Sequence, residues 1–454
     1  GVTPQEWVDG IAAAFQSAWS DLAISYDDFI RTTEPRHRAA VVEIIRRMQE
    51  AGDLYRGTYA GYYCVGCEAY KTEAELERRA GAPGRGEPGP ERAAQLRCPL
   101  HPTRDLEWLE QENWFFRLSR YQERLLDLLD ERPEFVQPEI RRNEVRNVIE
   151  GGLEDISVSR ARLDWGVPWP DDPDHVVYVW IEALTNYLSA TGFPDDGYRE
   201  YWPADIHVIG KDITRFHCVY WPAILMSAGL ELPRSVWAHG FINFGGGKMS
   251  KSEGVSVSLD EAIDRHGPEA LRYYLLRDVP WNGDGDFSWD RFDDVYTAEL
   301  ANDLGNLANR SISMIERYRG GIVPEGARTS LDEQMPDALV RYRAAMDANL
   351  LHHGIGAAMA LAGAANGFIE ERAPWSQAKD PAHTADLDAT LAALARALAA
   401  LAAMLEPVMP AKMRHLAAAL GLHDVPLLDD VADLDLAGHT VARGDVLFPR
   451  DDRP

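Results

Sequence analysis

The sequence has few cysteines and no long apolar run. Only four of its 454 residues are cysteine, too few for a disulfide scaffold and typical of a reducing, cytoplasmic compartment. No run of about 18 or more apolar residues occurs, so we expect no membrane span. The longest apolar stretch, LAALARALAALAAMLEPVMP, is alanine-rich and carries an arginine, and we interpret it as a core helix. No signal or transit peptide is recognisable.

Basic residues are outnumbered by acidic ones. The chain has 46 Lys and Arg against 73 Asp and Glu, a formal net charge of −27. This balance favours solubility and argues against nonspecific nucleic-acid binding, but it leaves room for a local RNA site. With 46 % hydrophobic residues and 13 tryptophans, the chain is no disordered polypeptide, and its length suggests roughly two to four domains.

The chain opens with a helix rather than a strand. Thr3, Pro4 and Glu6 form a capping-box pattern, and a second helix, EPRHRAAVVEIIRRMQEAG, is closed by Gly52. An α/β domain usually opens with a strand, and the first residue is Gly rather than Met. We therefore expect the chain to begin in the middle of a domain.

Two short metal-ligand pairs flank a glycine- and proline-rich loop. They are Cys64-x-x-Cys67 and Cys98-x-x-His101. Four such ligands close a tetrahedral coordination sphere, so this spacing predicts a structural Zn²⁺ site. The alternative is two unrelated thiol pairs. The remaining cysteine, Cys218, lies on an apolar stretch, where a small buried hydrophobe is the simpler interpretation.

The hydrophobic pattern predicts an α/β domain followed by helices. HVVYVWIEAL, DIHVIGKD and SVWAHGFINF are strand-like runs typical of a parallel sheet, and strand signals vanish after about residue 290. We expect a doubly wound, Rossmann-like domain with a small zinc-binding insertion, then an all-α bundle. The expected boundaries are 1–52 and 121–290 for the two halves of the α/β domain, 53–120 for the insertion and 291–454 for the bundle.

Three stretches carry candidate site residues. Gly210 and Asp212 follow an apolar run, at the strand end where doubly wound sheets bind ligands, with His217 about a turn further on. Trp180, Ala183 and Tyr187 share one helix face. Taken alone, His217 and this face are more typical of core packing.

The third stretch, GGGKMSKSEG, joins three glycines to two lysines. Lys248 and Lys251 flank Met249 and Ser250, and a flexible loop of this kind can bring positive charge onto a phosphate. A solvated surface turn is an equally good interpretation of the composition alone.

The loop K-M-S-K-S resembles the second signature of class I aminoacyl-tRNA synthetases. VYVWIEALTNYLSATG, IGKDITRFHCVYWPAIL, ALRYYLLR, DLGNLANR and ERAPW follow one another as in the methionyl-tRNA synthetases, so nearly the whole chain resembles that family. The resemblance implies that methionine and ATP, with Mg²⁺, form methionyl-adenylate, which is then transferred to the methionine tRNA. The sequence ends at VLFPRDDRP, soon after the helical region, so we expect no appended C-terminal domain and a monomer.

The resemblance also implies residue roles. Lys248 and Lys251 would act in catalysis. The implied ligands are Gly210, Asp212, Ser250, Lys251 and Ser252 for ATP; Trp180, Ala183, Tyr187 and His217 for methionine; Cys64, Cys67, Cys98 and His101 for zinc; and Asn302, Asn306, Arg310 and Trp375 for the anticodon. The asparagines and Arg310 recur at i, i+4 and i+8, one helix stripe.

The sequence departs from the family in three places. No His-x-Gly-His occurs among the 13 histidines, and the G-T-D-E-H-G segment that follows it in the family is also missing, so we expect an N-terminally incomplete sequence. Glu182 replaces the usual Asp of W-I-D-A. Gly254-Val255 replaces Gly-Asn after the lysine loop, and the loop between the zinc-ligand pairs is long.

Two alternatives remain. Synthetases for Ile, Val and Leu carry a large editing insertion, and residues 53–120 are too few for one; the cysteine enzyme holds a catalytic zinc near its amino-acid pocket. A noncatalytic RNA-binding or regulatory protein on a synthetase scaffold is favoured by the missing first signature. It is disfavoured by the retained lysine loop and pocket residues.

Overall fold

The computed structural model describes residues 1–449, except 68, 80–86, 162, 245–246 and 249–256. The helices are α1 Pro4–Asp21, α2 Pro35–Glu50, α3 Pro90–Ala93, α4 Gln122–Glu131, α5 Glu139–Glu150, α6 Val179–Ser189, α7 Trp221–Ser227, α8 Leu259–His266, α9 Pro268–Arg277, α10 Trp289–Val295, α11 Asn306–Arg319, α12 Ser330–Asp347, α13 Leu351–Arg372, α14 Pro374–Gln377, α15 Thr384–Leu405 and α16 Pro410–Ala419. The strands are β1 Leu54–Cys64, β2 Ala69–Lys71, β3 Glu77–Arg78, β4 Leu96–Arg97, β5 Leu106–Phe116, β6 Val136–Gln137, β7 Ile156–Ser157, β8 Ser159–Ala161, β9 Pro168–Trp169, β10 Asp172–Val177, β11 His207–Gly210, β12 Val236–His239, β13 Ile242–Phe244, β14 Gly247–Lys248 and β15 Gly285–Phe287. In addition, Phe216–Tyr220 and Tyr296–Gly305 are π-helical.

The first two helices begin and end where their local sequence predicts. The Thr3 side chain accepts a hydrogen bond from the Glu6 backbone N–H, and the Glu6 carboxylate accepts one from the Thr3 N–H. This is the expected capping box. Helix α2 has Pro35 in its first turn, and Gly52 follows its end with φ 71°, a left-handed conformation that glycine adopts without strain.

The chain divides into two compact units. The pocket unit is Tyr26–Ala238, and the helical unit is Gly1–Ser25 with His239–Pro454. In the pocket unit, β1 and β5 pair antiparallel over their full length, from Leu54 opposite Phe116 to Cys64 opposite Leu106, in the sheet β2-β1-β5-β7. This long ribbon ends at Cys64, and the cysteine pairs therefore lie at its far end.

The parallel sheet of the pocket unit has the order β11-β12-β6, with β12 parallel to β6. The strand expected in HVVYVW is present as β10, but it pairs antiparallel with β8 and β9 in a separate small sheet. The expectation that this strand belongs to the parallel sheet is therefore wrong. A short apolar run fixes strand character without fixing the direction of its neighbours.

The run SVWAHGFINF forms two strands, β12 and β13, instead of the one expected. The break falls at Gly240, where an added Cβ would lie 2.0 Å from the backbone oxygen of Gly283. Only glycine leaves room for this close backbone approach, and β13 then pairs parallel with β15 and antiparallel with β14.

Helices dominate the helical unit after β15, as the sequence predicts. Its core is built around α15, which is buried from Ala389 to Leu405. Within the described residues, the helical stretch Pro381–Leu405 is long and apolar enough to cross a membrane, with a mean hydropathy of 1.6, but 94 % of its most apolar window is buried inside the protein. It is the core helix predicted from the alanine-rich sequence.

Candidate functional site

The pocket unit brings two of the predicted stretches together. The Trp180 ring, at the start of α6, stacks on Phe216 with centroids 3.7 Å apart and planes 6° from parallel. Tyr187 lies further along the same helix, and its hydroxyl is 2.7 Å from Nε2 of His217. Two aromatic side chains of one helix thus meet two consecutive residues of the π-helical segment.

The hydrogen bonds around His217 fix the position of its proton. Nδ1 lies 3.0 Å from the backbone oxygen of Ile213, which can only accept, so Nδ1 carries the proton. Nε2 is then the acceptor for the Tyr187 hydroxyl. Burial lowers the pKa of His217 and raises the pKa of Tyr187 to about 12. Both groups are therefore neutral near pH 7, and the pair is an uncharged polar point in an aromatic wall.

Further aromatic rings hold Tyr187 in place, and sequence reasoning missed them. The centroid of the His207 ring lies 4.0 Å from that of the Tyr187 ring, and the centroid of the Trp221 ring, at the start of α7, lies 6.4 Å from it. Burial, together with the nearby His217, lowers the pKa of His207 to about 3, so this ring is neutral too. His207 begins β11, the strand that ends at Gly210, and that proximity in sequence is the signal that was available.

Gly210 and Asp212 lie at the carboxyl end of β11, as predicted. An added Cβ at Gly210 would lie 2.8 Å from Oδ1 of Asp212, so glycine lets this carboxylate fold back over the strand end. Ala183 lies on α6 between Trp180 and Tyr187 and is partly exposed. A cleft of about 740 Å³ runs beside this helix, from Trp180 and Glu182 to Val65 and Cys67. Of the residues predicted to bind methionine, Trp180 is the one among those that line this cleft.

The four predicted zinc ligands converge at the end of the β1–β5 ribbon. The ligand atoms of Cys64, Cys67, Cys98 and His101 all lie within 4.8 Å of one another. Nδ1 of His101 is 3.8 Å from the Cys64 sulfur and 3.2 Å from the Cys67 sulfur, and the sulfurs of Cys67 and Cys98 are 3.5 Å apart. A tetrahedral zinc with Zn–S bonds of about 2.3 Å places its sulfurs about 3.8 Å apart, so the donor set fits the metal.

Two further observations support this fit. Burial, together with the Cys98 and Cys64 thiols, raises the pKa of Cys67 to about 12, so the thiol needs a cation beside it to ionise. Gly66, between the first two ligands, lies so close to the His101 ring that a Cβ there would be 2.5 Å from its Cγ. The geometry brings the four predicted ligands together as a group that could hold zinc; that they bind it stays a prediction.

The lysine loop is described only in part. The backbone of Lys248 belongs to β14, which pairs with Asn243 and Phe244 of β13. Ser250, Lys251 and Ser252 lie outside the described residues. Their roles, and that of the Lys248 side chain, stay predictions.

The four residues expected to read the anticodon belong to the helical unit. Asn302 is exposed within the π-helical segment, and Asn306 begins α11. Asn302 thus lies in the π-helical segment, and Asn306 and Arg310 lie in the α-helix that follows it; their role in reading the anticodon stays a prediction. A guanidinium N–H of Arg310 donates to Glu370 at 2.6 Å, near the end of α13, and Trp375 on α14 is 39 % exposed.

Comparisons with known proteins match the chain throughout. A family model described as tRNA synthetases class I (M) matches residues 1–312, and one described as the anticodon binding domain of methionyl tRNA ligase matches residues 320–452. The methionine–tRNA ligase of Caldanaerobacter subterraneus subsp. tengcongensis is 40 % identical over 100 % of this chain and 70 % of its own length. That of Streptomyces coelicolor is 42 % identical over 99 % of this chain and 85 % of its own.

A solved structure is similar over almost the same span. Mycobacterium tuberculosis methionyl-tRNA synthetase in complex with methionyl-adenylate has a TM-score of 0.91 and 38 % sequence identity, covering 99 % of this chain and 88 % of its own. The fold class expected from the sequence, an α/β synthetase domain followed by a helical anticodon-binding domain, is confirmed by this match.

Proposed function

The chain belongs to the methionyl-tRNA synthetases of class I, and we propose that it joins methionine to its tRNA through the residues described above. Methionine reacts with ATP, which binds as its Mg²⁺ complex, to form methionyl-adenylate and pyrophosphate. The methionyl group then passes to the 3′ end of the methionine tRNA, and AMP leaves.

The aromatic wall of α6 and the adjacent π-helical segment is the observation that carries this proposal. The Trp180–Phe216 stack gives a flat, polarizable surface for a thioether side chain, with Ala183 between Trp180 and Tyr187 on the same helix. The Tyr187–His217 pair is neutral, so it offers the sulfur a polar contact without a buried charge. Methionine has a sulfur for this contact, whereas leucine and isoleucine do not.

ATP binds at the carboxyl end of β11 in this proposal. Gly210 permits close approach of the nucleotide, and Asp212 meets the adenylate. Lys248, Ser250, Lys251 and Ser252 supply the donors and positive charge that stabilise the departing pyrophosphate, with Lys251 as the chief cation. The glycines before Lys248 let the loop close over ATP and reopen.

Zinc has a structural role in this proposal. Cys64, Cys67, Cys98 and His101 complete a four-ligand sphere, which leaves no open position for a substrate. The small core at the end of the ribbon contains only a few buried side chains, among them Tyr62, Leu96 and Leu106. A bound Zn²⁺ supplies cross-linking that so small a core cannot provide alone.

The helical unit recognises the tRNA in this proposal. Trp375 stacks on an unpaired anticodon base, and Asn302, Asn306 and Arg310 hydrogen-bond to base edges. We further propose the domain boundaries expected from the sequence, a monomer, and a cytoplasmic enzyme.

Amino-acid-dependent exchange of pyrophosphate into ATP tests the proposal. We expect exchange with methionine and at least about 100-fold less with leucine or isoleucine at equal concentration, because a polar contact to the sulfur is lost. Lys251→Ala lowers the exchange rate with little change in methionine affinity. Equal rates for Lys251→Ala and the unaltered chain would refute the role of the loop.

A noncatalytic RNA-binding protein on the same scaffold is the alternative that this assay distinguishes. Binding of methionine tRNA without exchange for any amino acid would support that alternative and overturn the proposed ligase activity.

A further inference from the structure

Helix α6 has a second face, opposite the one that carries the proposed methionine pocket. Trp180 and Tyr187 are seven residues apart and share the pocket face. Glu182 and Ser189 are also seven residues apart and lie two positions further on, which places them about 200° round the helix. Whatever holds this back face sets the rotation and axial position of the pocket face.

A single side chain of α2 contacts both residues of the back face. The His37 ring is fully buried, with 0 % exposure. Its Nδ1 lies 2.9 Å from Oγ of Ser189, and its Nε2 lies 3.7 Å from Oε2 of Glu182, within ion-pair distance. The imidazole therefore reaches the first and the last turn of α6 at once.

The protons of this contact follow from the neighbouring hydrogen bonds. The Ser189 hydroxyl donates its one hydrogen to the backbone oxygen of Asn186, 3.1 Å away. Nδ1 of His37 is therefore the donor to Ser189, and Nε2 is left facing the Glu182 carboxylate. Among the described residues Nε2 has no hydrogen-bond partner, and the Glu182 carboxylate faces it at 3.7 Å.

We propose that His37 is a positioning residue for methionine binding, holding α6 through Ser189 and Glu182 so that Trp180 and Tyr187 face the pocket. The inference rests on the proposed methionine pocket. It also accounts for Glu182 at a position where the family usually has Asp. The carboxylate is already 3.7 Å from the ring, and a side chain shorter by one methylene, about 1.5 Å, would fall out of reach without a shift of the helix.

Two amide substitutions separate the two contacts of His37. The amide of His37→Asn stands near the position of Nδ1 and keeps a donor for Ser189, but it has nothing at Nε2. Glu182→Gln keeps the size of Glu182 and removes its charge. Glu43→Gln is the matched control, because Glu43 lies on the same helix α2 and its bonds within the part of the chain that the structure describes are to Arg46 and Arg47 of that helix.

The readouts are the methionine dissociation constant by calorimetry and the KM and kcat of pyrophosphate exchange. We expect His37→Asn and Glu182→Gln each to weaken methionine binding about fivefold to tenfold, with kcat at saturating methionine within about twofold. The double variant binds methionine no more weakly than the single variant with the lower affinity, because the two substitutions remove the same contact. Glu43→Gln binds methionine like the unaltered chain.

The outcomes separate the inference from the proposed function. Additive effects, or unchanged affinity in Glu182→Gln, would overturn the positioning role while leaving the pocket intact. No methionine binding by the unaltered chain would overturn the pocket and the inference together. If His37→Asn does not fold, the half-buried and conservative Glu182→Gln decides alone.

Discussion

Gly66→Ala is expected to weaken zinc binding although no metal ligand is touched. A Cβ at this position would lie 2.5 Å from Cγ of His101, 2.7 Å from its Cδ2 and 2.9 Å from its Nδ1. Ordinary contacts begin at 3.4 Å, so the ring or the turn between Cys64 and Cys67 must move by about 1 Å. Zinc–ligand bonds tolerate only about 0.2 Å.

A displacement of this size is expected to lower the zinc affinity. Disturbing the orientation of one ligand typically costs about 10- to 100-fold in metal affinity, which corresponds to about 1.4–2.7 kcal/mol. Competition with a chromophoric chelator at pH 7 measures the zinc dissociation constant, and metal analysis gives the stoichiometry, about one Zn²⁺ per chain. Gly197→Ala is the matched control in the same unit, because nothing lies within 4 Å of a Cβ there. Zinc affinity in Gly66→Ala equal to that of the control would refute the assigned ligand geometry.

Three further predictions concern the pocket, the tRNA surface and the bundle core. Tyr187→Phe leaves the acceptor nitrogen of buried His217 unpaired and is expected to destabilise the protein by about 1–3 kcal/mol in urea unfolding, whereas Tyr201→Phe, 66 % exposed, has no effect. Trp375→Ala weakens tRNA binding about 5- to 100-fold in a filter assay and leaves pyrophosphate exchange unchanged; loss of exchange with intact tRNA binding would contradict the assignment. Asp332→Asn breaks a buried pair with Arg396, at 2.6 and 3.0 Å, and costs about 3–5 kcal/mol at pH 7. Burial raises the pKa of Asp332, but the hydrogen bonds that its carboxylate accepts have the larger combined effect, and the pKa is lowered overall. The pair therefore stabilises the fold above about pH 4, and this contribution is lost as the pH falls through the lowered pKa. A variant whose stability still falls as steeply on acidification would show that other groups dominate.

The zinc site was predictable from spacing alone because each ligand pair is local. Two residues between two ligands form one tight turn, and only the approach of the two turns needs the fold. The proposed methionine pocket was not predictable in this way. Tyr187 and His217 are separated by 30 positions, and from the residues alone each was better explained as core. The resemblance to a family pointed to them, and the structure added Phe216 and His207, for which the one available signal was the position of His207 on the strand that ends at Gly210.

Strand direction was the other feature that the sequence left open. The apolar residues of β10 are buried at its end, as in a strand of a parallel sheet, yet its partners run antiparallel. Gly240 likewise gives no sign in the sequence that it ends one strand and begins the next. The reason is a backbone contact with Gly283, 43 residues later, and local composition does not report such contacts.

Two π-helical segments lie at predicted site residues, and α-helical periodicity did not predict either of them. One contains His217, and the other contains Asn302 and ends just before Asn306. A π-helical turn holds about one residue more than an α-helical turn, so residues four apart still lie on the same side of the helix but at a different angle. Such turns carry poorer backbone geometry and persist where tertiary contacts hold them, here the Tyr187 hydroxyl on His217 and the Asn366 amide on the freed backbone oxygen of Asp303. The first of these contacts belongs to the proposed methionine pocket, so there the local irregularity and the proposed binding surface share one physical cause.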